Sequence, residues 1–175
     1  MKRKLCELGL IIFFYLMQVS LCRVIAIGGI APNLMIILPI LFGYFNGPKE
    51  GMYVGFCSGI LYDLFFTDLL GFTALMFTLI GYFCGLLCNR YEEGNFIIPI
   101  FLTAGAVLFY EFFVFIGNFL LQNRLILGYF MTRVILPEMV YTVIVMLILY
   151  KPLQLLNKLY DSRKRKVKDI DETIL

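Results

Sequence analysis

Histidine and tryptophan are absent, and charged residues make up only 15% of the chain. Without histidine, the commonest general base and the commonest metal ligand are both missing. The five cysteines (Cys6, Cys22, Cys57, Cys84 and Cys88) are odd in number and lie inside or beside apolar runs, which argues against a metal site. Cys84 and Cys88 stand one helical turn apart and read as small packing residues. There is no phosphate-cradling Gly-Lys-Ser loop and no serine with a neighbouring base. Catalysis is not expected, and neither is a cofactor.

What is present is apolar. Hydrophobic residues form 61% of the chain, aromatics 17%, and the mean hydropathy is +0.89. Soluble domains are roughly half apolar, so this composition points to an integral membrane protein. The 15 Lys and Arg gather at chain ends and connections rather than on one face, which excludes a nucleic-acid footprint. Lys2, Arg3 and Lys4 precede an apolar run ending at Val19-Ser20-Leu21-Cys22. Leu21 is too large for a signal cleavage site, so the run reads as an uncleaved first helix.

Crossing the hydrocarbon takes about 20 helical residues. Six spans are expected, near 5–22, 31–46, 50–66, 70–88, 96–121 and 129–150. The breaks fall at Gly28-Gly29 with Pro32, Asn46-Gly47-Pro48, Thr67-Asp68 before Gly71, Asn89 to Asn95, and Gln122 to Gly128. Pro32 suits the first turn of its helix. The second span is short enough to be re-entrant. With the N-terminus in the cytoplasm, 12 basic residues fall inside and only Arg23, Arg124 and Arg133 outside, and an even span count returns the C-terminus to the cytoplasm. Residues 1–160 therefore read as a six-helix transmembrane domain. The remaining tail, 161–175, is basic through Arg163, Lys164, Arg165, Lys166 and Lys168, then acidic. Its basic part suits anionic cytoplasmic lipid or a cytoplasmic partner.

Gly47, Gly51, Gly55 and Gly59 recur every four residues, and Asp63 continues the series. That spacing lays them along one helix stripe, which lets another helix approach closely. Gly81 and Gly85 repeat the device. The stripe serves packing within the bundle or a surface for another membrane protein. Asp63 is expected near the outer end of its span as a helix-pairing or turn residue, and Asp68 as the cap of Leu69 to Phe72. Glu111 and Glu138 are placed at similar depth inside spans five and six, where a charge is costly unless it faces the bundle, pairs, or is neutralised. Arg133 is the natural counter-ion for Asp63 or Glu138. The acids suit a polar brace, a contact to a partner's helix, or a proton or ion path.

Several segments resemble the MreD family of rod-shape-determining membrane proteins. They are Pro32-Asn33-Leu34, Phe45 to Gly51, Gly55-x-x-x-Gly59-Ile60-Leu61-x-Asp63-Leu64 and Leu70-Gly71-x-x-Ala74-Leu75. Gly81-Tyr82-x-x-Gly85, Leu136-Pro137 and Tyr150-Lys151-Pro152-Leu153 fit as well. Two places depart: Thr67-Asp68-Leu69 fills a loop usually richer in glycine or proline, and Thr73 replaces a frequent asparagine. The resemblance implies a non-enzymatic component of the cell-elongation machinery in the bacterial cell membrane. It implies MreC as a partner, a link to cytoplasmic MreB, and proximity to the peptidoglycan polymerase RodA and a class B penicillin-binding protein. It also implies a six-helix bundle like the S component of energy-coupling-factor transporters. A vitamin-binding S component is itself the alternative reading, with a polar pocket from Asp63, Asp68, Asn118, Asn123, Arg124 and Arg133.

Overall fold

The computed structural model describes residues 2–25, 30–67, 70–87, 97–122, 133 and 135–174. Among these the chain is all helix: α1 (Lys2–Ile25), α2 (Leu34–Asn46), α3 (Pro48–Phe66), α4 (Phe72–Leu86), α5 (Ile97–Gln122) and α6 (Leu136–Ile174). Two stretches, Ile97–Gly117 of α5 and Leu136–Lys158 of α6, are long and apolar enough to cross a membrane.

Helix α2 is the hub and touches each of the other five helices. Its sequence LMIILPILFGYFN is apolar all round, as a helix must be when no face meets water. Met35, Ile36, Ile37, Leu38, Ile40 and Leu41 are fully buried. At 13 residues it is about 20 Å long, short of the roughly 30 Å hydrocarbon core. Pro39 lies inside it without ending it.

Both ends of α2 are built by polar groups. Asn33, not Pro32, is its N-cap, and the Asn33 side chain accepts from the Ile36 N–H at 3.2 Å. Proline 32 lies one residue outside the helix, so its carbonyl is available to accept from Gln18 Nε2 at 3.2 Å. The same glutamine accepts from the Leu34 N–H at 2.7 Å, and the Asn33 N–H donates to Thr142 Oγ1 at 3.1 Å. This buried knot ties α1, α2 and α6 together and satisfies N–H groups that a helix start leaves free. At the other end the connection to α3 is the single residue Gly47, whose φ of +95° favours glycine. Pro48 then occupies the first turn of α3, where its missing N–H costs nothing.

Helix α6 runs on past the apolar stretch to Ile174, so Arg163, Lys164, Arg165, Lys166 and Lys168 ride on a continuation of the same helix. Pro152 lies within it. Large apolar side chains are exposed on α4, α5 and the N-terminal part of α6: Leu75, Phe83, Phe101, Phe112, Val140 and Ile148 are each more than half exposed.

Candidate functional site

Helices α3 and α4 form an antiparallel hairpin around the glycine stripe: Gly51, Gly55 and Gly59 each meet a defined rung of α4, whereas Gly47, expected in the same stripe, is the turn residue ahead of α3 and a Cβ there would meet nothing. A Cβ at Gly51 would strike the Gly81 carbonyl, one at Gly55 the Phe77 carbonyl, and one at Gly59 the Ala74 backbone. Gly85 stands in the same relation to Pro48. Gly43 of α2 joins the junction, since a Cβ there would come within 2.6 Å of the Gly81 oxygen. Backbone atoms cannot swing aside as a side-chain tip can, so these positions exclude every larger residue. Gly43 lies on α2, across the Gly47 turn, so its contact adds a third helix to the junction rather than extending the α3 stripe.

Asp63 stands one step further along the stripe, where α4 begins. It is 1% exposed. One carboxylate oxygen accepts from the Gly71 N–H at 2.9 Å and the Ala74 N–H at 3.1 Å; the other accepts from the Thr73 N–H at 3.2 Å and Thr67 Oγ1 at 2.9 Å. Gly71 opens α4 with φ +95° and has no side chain with which to cap it. Asp63 supplies the cap from the neighbouring helix, and its negative charge meets the positive end of the α4 dipole. The cap was expected from Asp68, which lies outside the described residues. The four-residue period explains the substitution: the stripe that holds α3 on α4 delivers its last member to the α4 N-terminus.

The expected pairing of Arg133 with Asp63 or Glu138 is not found among the described residues, where Arg133 is exposed and the Asp63 oxygens are taken by α4. Glu138 lies in the first turn of α6, because the described helix begins at Leu136. Glu111 is 5% exposed on α5. The Tyr110 phenol lies near Glu111, Glu138, Tyr62 and Thr73. Thr73 Oγ1 is beside that phenol but outside hydrogen-bonding geometry, and it is buried with no partner. Phe77 packs on Tyr110 at 5.3 Å between ring centroids, joining α4 to this cluster.

At the opposite end, Lys4 of α1 donates to Glu50 of α3 at 2.9 Å, stands 3.6 Å from Glu7, and lies 3.5 Å over the Tyr53 ring. Partial burial alone would lower the Lys4 ammonium, but the Glu50 hydrogen bond and charge outweigh it and hold it above its ordinary 10.5. Sequence reading missed this clasp and the Gln18 knot. In both, a polar residue inside or beside an apolar run marked that a partner was needed, but not which one.

No group of three or more metal-ligating side chains occurs among the described residues. The arrangement offers helix pairing and a capped joint; among the described residues it offers no assembled nucleophile or base. The family model described as rod shape-determining protein MreD matches residues 1–160. A rod shape-determining protein MreD from Bacillus subtilis (strain 168) is 28% identical over 143 residues, 80% of this chain and 80% of that one. No solved structure matches. With the family model spanning nearly all of the helical domain, the chain belongs to the MreD family of rod shape-determining membrane proteins.

Proposed function

We propose that this chain is the multi-pass membrane component of the bacterial cell-elongation machinery that binds MreC and helps couple cytoplasmic MreB to peptidoglycan synthesis by RodA and a class B penicillin-binding protein. The observation that carries the reading is the family match across residues 1–160. Physical features support it. The bundle is all helix and exposes large apolar side chains on α4, α5 and α6, which suits lipid and the helices of other membrane proteins. The protein acts without catalysis, by holding partners together.

Residues 1–160 form the six-span membrane domain in this reading, and 161–175 the cytoplasmic tail. The Lys4 to Glu50 contact places the N-terminal ends of α1 and α3 together, which supports a common cytoplasmic side for Lys2, Arg3, Lys4 and Lys49. Basic residues from Arg163 to Lys168 then lie on the same side, near anionic lipid. Gly51, Gly55, Gly59, Gly81 and Gly85 are filled by contacts inside the chain, so the partner surface in this reading lies on exposed apolar faces of the bundle rather than on the glycine stripe. The vitamin-transporter alternative gains no support from the family or the curated relative.

The test is recovery of MreC. Affinity-tagged chain, co-expressed with MreC of the same organism and solubilised in mild detergent, is expected to retain MreC in stoichiometric amount. Recovery no greater than that on an unrelated six-span protein would remove the MreC reading.

A further inference from the structure

The seam by which α6 packs into the bundle continues where the bundle stops. Met139, Thr142, Met146, Leu149, Leu153 and Leu156 follow one another at alternating intervals of three and four residues. Thr142, Met146 and Leu153 are buried, and Met139 and Leu149 pack against the core. The same intervals run on through Tyr160, Arg163, Val167, Ile170 and Ile174, on the helix that reaches Ile174 unbroken. An apolar repeat averaging 3.5 residues is the pattern of a helix that pairs lengthwise with another.

Inside the bundle the seam has its partners; further along, the neighbouring helices have ended. The Phe45 and Tyr150 rings lie 5.4 Å apart, so the two residues stand at one level. Helix α2 ends at Asn46, α3 begins at Pro48, Lys4 of α1 meets Glu50, and Gly85 of α4 lies against Pro48. The described helices α1 to α4 therefore begin or end within about a turn of that level, whereas Val167 lies about 26 Å further along α6. Counted instead from Lys158, the end of the apolar stretch, Val167 and Ile174 stand about 14 and 24 Å along the axis, past a headgroup layer of roughly 5–8 Å. The anionic leaflet attracts the basic residues across that layer, but apolar positions so far out meet no hydrocarbon.

Charge decides between the remaining occupants. Two copies in one membrane have parallel tails, and the heptad counted with Tyr160 at position a puts Arg163 at d, Lys164 at e and Lys166 at g. Basic residues of one tail would then meet basic residues of the other, and Lys166 with Asp171 is the one attractive pair along the seam. The complement is a helix that is apolar at a and d and acidic beside them.

We propose that residues 156–174 form a docking helix for an amphipathic helix of another protein, apolar along its seam and acidic on the flanks that meet Arg163, Lys164 and Lys166. This partner lies on the side of the membrane where α6 ends, which is the cytoplasm in the reading above. The proposal does not rest on MreC.

The experiment places the full chain in phosphatidylcholine nanodiscs and titrates it with a fluorescent three-heptad peptide, leucine at a and d and glutamate at e and g. The control has the same composition and net charge, with the leucines moved off the heptad. Wild type is expected to bind the heptad peptide about tenfold or more tightly than the control. V167S/I170S, which lies outside the bundle, is expected to lose that preference and keep the wild-type melting temperature. Equal binding of both peptides by wild type overturns the proposal, because charge alone then accounts for binding. A preference that survives in V167S/I170S overturns it equally. Loss of the preference in discs containing phosphatidylglycerol makes the membrane the occupant, and a wild-type dimer that V167S/I170S converts to monomer makes it a second copy; either result overturns the proposal. No MreC is present, so this outcome and a failed MreC recovery are separate results.

Discussion

Replacing Asp63 tests whether the joint between α3 and α4 is held by the carboxylate. Asp63→Ala removes four accepted hydrogen bonds and leaves the N–H groups of Gly71, Thr73 and Ala74 without their acceptor. A lost helix cap alone costs about 1 kcal/mol, and each bond to a charged group contributes roughly 1.5–3 kcal/mol net. Water at a helix end recovers part of this, so a loss of about 3–4 kcal/mol is expected for alanine. Asp63→Asn keeps one accepting oxygen and so about two of the four bonds, which predicts roughly half that loss. At roughly 2–4 °C per kcal/mol for a chain of this size, alanine lowers the melting temperature by about 10 °C and asparagine by about 5 °C. Melting is followed in detergent with a thiol-reactive dye, which reports exposure of buried Cys84 above the background from exposed Cys6. A wild-type melting temperature for Asp63→Asn, or equal losses for asparagine and alanine, would refute an account based on counted bonds.

Gly59→Ala places a methyl within 2.8 Å of the Ala74 backbone nitrogen and is expected to lower membrane accumulation and melting temperature, whereas Gly105→Ala meets open space and is expected to be neutral or stabilising by up to about 1 kcal/mol. Equal behaviour of the two in the same melting assay would contradict the close-packed stripe. Gln18→Leu removes the acceptor of the buried Leu34 N–H and a donor to the Pro32 carbonyl, and a loss of about 2–3 kcal/mol is expected in the same assay. The Lys4 clasp is expected to stay charged through neutral pH. Because its pKa is raised, its contribution is present below 10.5 and falls as pH rises past that value. Lys4 is 43% exposed, so Lys4→Met is expected to cost less than about 1 kcal/mol, read as the melting shift near pH 7.

The all-helical class was legible because the chain is apolar and its breaks are written in glycine, proline and asparagine. Asn46-Gly47-Pro48 falls at the one-residue turn between α2 and α3. The approach of α3 to α4 was legible in the four-residue glycine period, which has a direct geometric meaning on a helix. The role of Asp63 needed one more inference, that an antiparallel neighbour must begin where the stripe ends. The Gln18 knot was not legible: its bonds reach Pro32 and Leu34 across 14 and 16 residues, and only the packing of α1 on α2 brings them together. Arg133 misled for the reverse reason. Similar expected depth suggested a pair, but depth does not fix which way a side chain turns.

This MreD-family chain is expected to set rod shape. The most direct measurement is cell morphology after its depletion in a rod-shaped host without a compensating paralogue, followed by microscopy of cell width and length. Wider cells that round up, and return to rods when the chain is re-expressed, are the predicted result. Rods of normal width after complete depletion would contradict it.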